Sequence, residues 1–292
     1  MGPDLTEILH AQFIGGRHPG LNTVQAAKAL IAQVGALRPQ KLSAAHAIEA
    51  DETIRRSTYT AGTKHARANA TRQILRWLWE NHGAPKLDAH IRKYPSPRPR
   101  NVRVHDLERA KMLAAAPPHL RLWLLLCSDL AVRSGTALKL NPQNYDPEAR
   151  LLTFTTKCDE HLTLPATDEI IELLALCDPA DPESFVRQLW RKHHAATRSN
   201  GRPTTLHPAS LNRAFRRLRA LCTSRHIVPH DLRRTTAVAM LRATHDLRDV
   251  QAILGHKNLT STMWYLDHEL RPVKRSTLEL IKRPDWRKEN IA

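Results

Sequence analysis

Two groups toward the C-terminal end carry residue types suited to chemistry at a phosphate. In His230-Asp-Leu-Arg233 a spacing of three places an imidazole and a guanidinium on one face near a helix start, where both can reach one phosphate. Arginine suits that task because its planar fork donates two hydrogen bonds to a phosphoryl group and stays charged at any physiological pH. Such a pair is a weak signal by itself in a chain with 17 histidines and 45 lysines and arginines. Downstream, Ile253-Leu-Gly-His256 reads as a helix ended by a left-handed cap at Gly255, which leaves His256 at the mouth of the next loop. Tyr265 follows nine residues later, in Thr260-Ser-Thr-Met-Trp-Tyr265. It is either a nucleophile or a core aromatic beside Trp264.

Taken in order, His230-Asp-Leu-Arg233, Leu254-Gly-His256 and Tyr265 resemble the C-terminal signature of the tyrosine recombinase and integrase family. The intervening Asp246-Leu-Arg-Asp-Val-Gln251 resembles that family's linking helices, so the resemblance runs continuously from His230 to Tyr265. It implies two further residues. Leu124-Leu-Leu-Cys-Ser-Asp-Leu-Ala-Val-Arg133-Ser resembles the segment with the first catalytic arginine, which points to Arg133. Lys157, after Leu151–Thr156 and before Leu162-Thr-Leu-Pro165, resembles the family's hairpin lysine; a solvated turn lysine is the other reading. Some supporting positions depart from the commoner pattern: Ala131 stands for a glycine, Thr136 for an acidic residue, His161 for an arginine and Arg234 for a histidine.

The resemblance implies site-specific DNA recombination by strand cleavage and rejoining. Tyr265 would form a 3′-phosphotyrosyl bond, with Arg133 and Arg233 clamping the phosphoryl oxygens. His230 and His256 would complete that cage, His230 would take the phenol proton, and Lys157 would protonate the departing 5′-oxygen. Two fixed guanidinium groups supply the positive charge that the transition state needs, so neither metal nor other cofactor is expected, and the covalent bond removes any need for ATP. The expected partner is double-stranded DNA carrying specific recombination sites. A homotetramer is expected on synapsed DNA, and a monomer or weak oligomer when free. Type IB topoisomerase-like relaxation and a non-catalytic DNA-binding regulator are the alternatives.

These residues need elements to hold them. From Leu5 to Ile91 apolar residues recur at three- and four-residue steps, as in Ala26–Val34 and Ile74–Trp79, which predicts four or five short helices. Breaks are expected at Gly15-Gly16, Pro19-Gly20, Pro39 and Asn81-His82-Gly83. The stretch from Arg92 to Arg100 holds three prolines and four basic residues and cannot continue a helix. Beyond it, helices are predicted over Asp106–Ala115, Leu120–Leu126, Glu169–Leu176, Pro182–His193, Pro208–Cys222, Asp231–Leu241, Leu247–Leu254, Thr260–Leu266 and Ser276–Ile281. A hairpin of Leu151–Thr156 and Leu162–Leu164 interrupts them. The fold class expected is therefore mainly α with a small antiparallel β-sheet. Residues 1–91 would form a helical core-binding domain, 92–102 a basic Pro-rich linker, and 103–292 a mixed α/β catalytic domain of the tyrosine recombinase type.

Composition is consistent with a polyanionic partner. The 292 residues carry a formal charge of +17, a self-repulsion that contact with nucleic acid offsets. The excess is spread: residues 1–100 hold 15 basic and 7 acidic side chains, the rest 30 and 21. In the linker, Arg98 and Arg100 are the expected contacts to a DNA backbone. Cys127, Cys158, Cys177 and Cys222 show no C-x-x-C spacing, neither a zinc signature nor a disulfide framework, and suit a reducing compartment. The longest apolar run, Leu122 to Cys127, is too short to span a bilayer, while Asp4 and Glu7 spoil a signal peptide. No membrane association is expected; a cytoplasmic, nucleoid-associated location is, for a protein encoded by a bacterium or a phage. With no additional stretch of about 60 residues ahead of the N-terminal helices, a separate arm-site DNA-binding domain is not expected.

Overall fold

A computed structural model describes residues 3–17, 19–97, 100–155, 161–195, 206–256, 259, 262 and 263. Arg98, Lys157, Cys158 and Tyr265, and the predicted helix Ser276–Ile281, lie outside these. The chain divides into two compact units, residues 1–98 and 99–292.

The first unit is helical. α1 (Leu5–Ile8) starts at a capping box, Asp4 accepting from the Glu7 amide at 2.9 Å and Glu7 from the Asp4 amide at 3.3 Å, and continues into a π-helical segment, Leu9–Gly15. α2 (Leu21–Val34), α3 (Ala44–Arg56) and α4 (Ala61–His82) follow. α4 is far longer than the short helices predicted, because its inner face buries Ala68, Thr71, Ile74, Leu75 and Leu78 over successive turns. It stops where Gly83 takes a left-handed φ of 65°, a conformation that favours glycine. Arg92 and Tyr94, within the proline-rich stretch, pack back on α3: buried Asp51 accepts from the Arg92 amide at 3.0 Å and pairs with its guanidinium at 2.9 Å. Tyr94 packs against the core of this unit.

The second unit is built around one apolar helix. α5 (Asp106–Ala115) leads to α6 (Pro118–Ser128), in which residues 122–128 are all buried. A helix apolar all round must sit inside a domain, and α6 packs on α5, α8, α9, α10 and α11. Its Trp123 is fully buried, edge-on to Phe215 with centroids 5.5 Å apart. α7 (Ser134–Ala137) precedes a three-stranded antiparallel sheet in the order β1 (Tyr145–Asp146), β2 (Leu151–Thr155), β3 (His161–Pro165). Leu152 faces Leu164 and Phe154 faces Leu162 on the inner side, while Thr153 and Thr163 join hydroxyls at 3.1 Å outside. β1 extends the predicted hairpin; two residues are too few to carry an alternating pattern. α8 (Asp168–Leu174), α9 (Phe185–Ala195), α10 (Pro208–Cys222), α11 (Pro229–Thr244) and α12 (Leu247–Leu254) complete the unit. A second small core of Ala131, Ala237, Val238, Val250 and Leu254 binds α11 and α12 to the loop after α6. That small core positions the site. No helix among the described residues is long and apolar enough to cross a membrane.

Candidate active site

α11 begins at Pro229, whose fixed φ suits a first helical position, and Asp231 caps it by accepting from the Val228 amide at 2.9 Å. His230 and Arg233 therefore fall in its first turn. His230 is exposed into a cavity of about 490 Å³, which Arg133, Thr136, Lys139, Thr155 and Arg233 also line. Arg133 immediately precedes α7, whose start is held by a 3.1 Å bond from Trp123 Nε1 to the Ser134 carbonyl.

Arg233 is buried, 2% exposed, and its guanidinium is gripped by main chain. Nη1 donates to the Ala131 carbonyl and Nη2 to the Leu254 carbonyl at 2.7 Å. The first acceptor comes from the loop after α6 and the second from the end of α12, so the small apolar core that joins these segments also aims the guanidinium. Ala131 takes a left-handed φ of 51°, which accounts for the glycine expected there.

Gly255 ends α12 in the left-handed conformation, φ 54°, as its place in Leu-Gly-His predicts. The His256 amide then donates to the Gln251 carbonyl at 3.2 Å, and Gln251 Nε2 to the His256 carbonyl at 2.8 Å. The imidazole turns back to Arg233, with Nε2 3.3 Å from Nη2, while Nδ1 lies 3.0 Å from the hydroxyl of fully buried Thr262. A guanidinium has no acceptor, so Nε2 accepts and the ring proton sits on Nδ1, donating to Thr262 Oγ1. Desolvation, and then the charges of Arg233, Arg133 and His230, push the His256 pKa down to about 4. His230 is lowered by desolvation first and then by Arg233, with Asp231 opposing and Arg133 and Arg234 adding to the fall. Both imidazoles are neutral at pH 7 and share one field with two arginines.

Of the residues singled out in the sequence, Arg133, His230, Arg233 and His256 thus come together from three separated segments. Thr155, at the end of β2, lines the same cavity; Lys157 and Tyr265 lie outside the described residues. Arg100 is 44% exposed at its side chain and pairs with Asp231 at 3.2 Å. Sequence reasoning missed Lys139, an exposed lysine with no distinguishing mark among the chain's many basic residues, and Thr262, whose role depends on its hydroxyl meeting His256 Nδ1. Among the described residues no group of histidine, cysteine and carboxylate side chains could hold a metal ion. Cys127 is buried and its thiol pushed up to about 12 by desolvation, so it supplies no thiolate.

Residues 104–271, more than half of the chain, match the phage integrase family. The chain belongs to the phage integrase family. Among curated relatives, tyrosine recombinase XerC of Chlamydia pneumoniae is 27% identical over 149 residues, 51% of this chain and 46% of that protein; the chain spans under half the length of that relative. Among solved structures, a lambda integrase dimer bound to a COC′ core site superposes with a TM-score of 0.65 at 16% identity, covering 90% of this chain and 94% of that one. A lambda integrase tetramer bound to a Holliday junction gives 0.62 at 17% identity, covering 89% and 79%. At these identities the likeness establishes the integrase fold: mainly helical, with a small antiparallel sheet.

Proposed function

We propose that this integrase-family protein carries out site-specific DNA recombination by metal- and ATP-independent cleavage and rejoining through a 3′-phosphotyrosyl intermediate on Tyr265. The observation that carries the reading is the convergence of Arg133, His230 and Arg233 on one cavity of about 490 Å³, with His256 set against Arg233 at 3.3 Å. A phosphodiester repels nucleophiles, and its transition state spreads more charge over the phosphoryl oxygens, so fixed cations aimed at those oxygens supply most of the acceleration. Arg233, already held by two carbonyls, needs little reorganisation to do so.

Tyr265 Oη attacks phosphorus as the bond to the 5′-oxygen breaks. The phenol proton passes to His230, which desolvation and then the neighbouring arginines keep unprotonated and able to accept it. Lys157 gives a proton to the departing 5′-oxygen. Attack by a partner strand's 5′-hydroxyl reverses the step, and two rounds through a Holliday junction exchange the strands. Double-stranded DNA bearing specific sites is the substrate, and a homotetramer the working assembly, as in the lambda integrase complex above. Residues 1–91 serve as the core-binding domain, with Arg98 and Arg100 in the basic linker.

A nicked suicide substrate tests this. The wild-type chain should accumulate a covalent adduct without added metal, and Tyr265→Phe should bind the same DNA and form none. An adduct at wild-type yield from Tyr265→Phe overturns the nucleophile. DNA binding without any wild-type adduct leaves the regulator reading, and relaxation of supercoils without junctions leaves the topoisomerase one.

A further inference from the structure

The residue after Arg233 does not line the cavity but reaches the first residues of the second unit. Arg234 is 5% exposed, and its Nη1 donates to the Arg100 carbonyl. Arg100 answers in the other direction: its Nε and Nη2 reach the two oxygens of Asp231 at 3.4 and 3.2 Å, and Nη2 also donates to the His226 carbonyl at 2.8 Å. Asp231 is 2% exposed and is itself the cap of α11. Farther along, the Val104 amide donates to Thr235 Oγ1 at 2.9 Å, and that hydroxyl donates to the Asp231 carbonyl at 2.8 Å. Residues 100–104 are thus laced along the first two turns of α11, the turns that carry His230 and Arg233.

We propose that Arg100, Asp231 and Arg234 form a reciprocal clasp that sets the position of α11, making Arg100 and Arg234 positioning residues for the phosphoryl transfer. Three points of the geometry carry this. Asp231 lies between His230 and Arg233 in the same turn, so a displacement of its carboxylate moves both. The clasp closes in both directions, side chain to side chain and side chain to carbonyl, which resists sliding as well as separation. It also engages the loop before the helix through His226, so the start of α11 is held from outside and inside. Reactive groups displaced by about 1 Å can lose two orders of magnitude in rate. In this arrangement Arg100 acts through the protein, where its place in a basic linker suggests a DNA contact.

The clasp rests on the recombinase reading above, and its test separates the two. Arg100→Gln and Arg234→Met are compared with wild type on the nicked substrate, measuring the single-turnover cleavage rate at saturating DNA and, separately, the DNA Kd. Both variants should cleave roughly 10- to 100-fold slower at saturation, with Kd changed less than about threefold. Arg234→Lys, which keeps the charge and a donating ammonium group, should recover part of the rate. A second readout is independent of cleavage: the His230 ring titration followed by NMR. His230 faces Arg133 from the start of α7, Asp231, Arg233 and Arg234 on α11, and His256 beyond α12. Removing the Arg234 charge should raise its titration midpoint and move the acid limb of the pH–rate profile upward.

Circular dichroism and thermal melts identify a variant that has not folded, in which case the half-exposed Arg100→Gln carries the comparison. Wild-type rates at saturation with an unmoved His230 titration overturn the clasp. So does a loss confined to Kd, which makes Arg100 a DNA contact. If the wild-type chain forms no adduct, the recombinase reading fails, and the His230 titration in Arg100→Gln, whose charge is not among those acting on His230, decides whether the clasp positions that ring.

Discussion

His256 Nε2 lies 3.3 Å from Arg233 Nη2 and accepts its hydrogen bond. In that state the histidine presents a lone pair to the arginine and no proton to the cavity. A phosphate entering the site competes for the same guanidinium and, being anionic, favours the protonated ring. Starting from a pKa near 4, His256 should gain a proton as the phosphate arrives, becoming a donor only when there is an oxyanion to receive it.

DNA binding near pH 6 should therefore take up protons. Titration calorimetry in buffers of different ionisation enthalpy measures this, and His256→Asn should reduce the uptake. A binding enthalpy that does not vary with buffer would show that His256 stays neutral in the complex.

Thr262 holds the other side of that ring at 3.0 Å. Thr262→Val keeps the shape and removes the acceptor, leaving the Nδ1 proton without its partner. A net hydrogen bond of this kind contributes about 1 kcal/mol, and a buried donor left without its partner costs about 1–3 kcal/mol, which the ring can escape only by leaving its place beside Arg233. Cleavage should fall at least about 10-fold while stability drops by only ~1–2 kcal/mol. Unchanged cleavage with lost stability would make Thr262 a packing residue only.

Stability should decline on mild acidification. His119 is 3% exposed, and desolvation, then His193 and His194, lower it to about 4, the same value as His256. In the unfolded chain histidine titrates near 6.5. Between about 6.5 and 4 the unfolded state therefore binds more protons, so the stabilisation present above that window is lost as pH falls through it. The ceiling is about 1.4 kcal/mol per pH unit for each histidine, less for the partly solvated His256. Urea midpoints at pH 7 and 5 measure the slope, and His119→Phe should flatten it. A slope unchanged in that variant would remove His119 from the account.

Ala131 joins backbone conformation to the position of Arg233. Its left-handed φ, 51°, is costly for a β-branched residue, and its methyl group is fully buried. Ala131→Val should destabilise by roughly 2–3 kcal/mol and lower activity through the displaced carbonyl. In Ala131→Gly, relief of the backbone offsets loss of the methyl group, and stability should stay within about 1 kcal/mol. Thermal and urea unfolding of the pair check this; a tolerated valine would contradict the strained turn.

Local features were legible in the chain because local rules govern them. The three-residue step from His230 to Arg233 and the left-handed glycine before His256 follow from helix geometry and cap chemistry. α5 and α12 fall on the residues that periodicity marks, Asp106–Ala115 and Leu247–Leu254, as does α10, Pro208–Cys222. The resemblance supplied Arg133, whose surroundings by themselves show only an apolar helix followed by a loop. Tertiary structure decided what distant residues do to one another. Arg233 takes its aim from the carbonyl of Ala131, 102 positions away; Lys139 lines the cavity only because α7 turns it there; and Thr262 reads as an ordinary threonine until the chain folds back on His256. Arg100 and Arg234 look like two more basic residues in a chain of charge +17. Whether such a cation meets solvent, DNA or a buried carboxylate depends on what packing brings within hydrogen-bond reach, and no spacing along the chain encodes that.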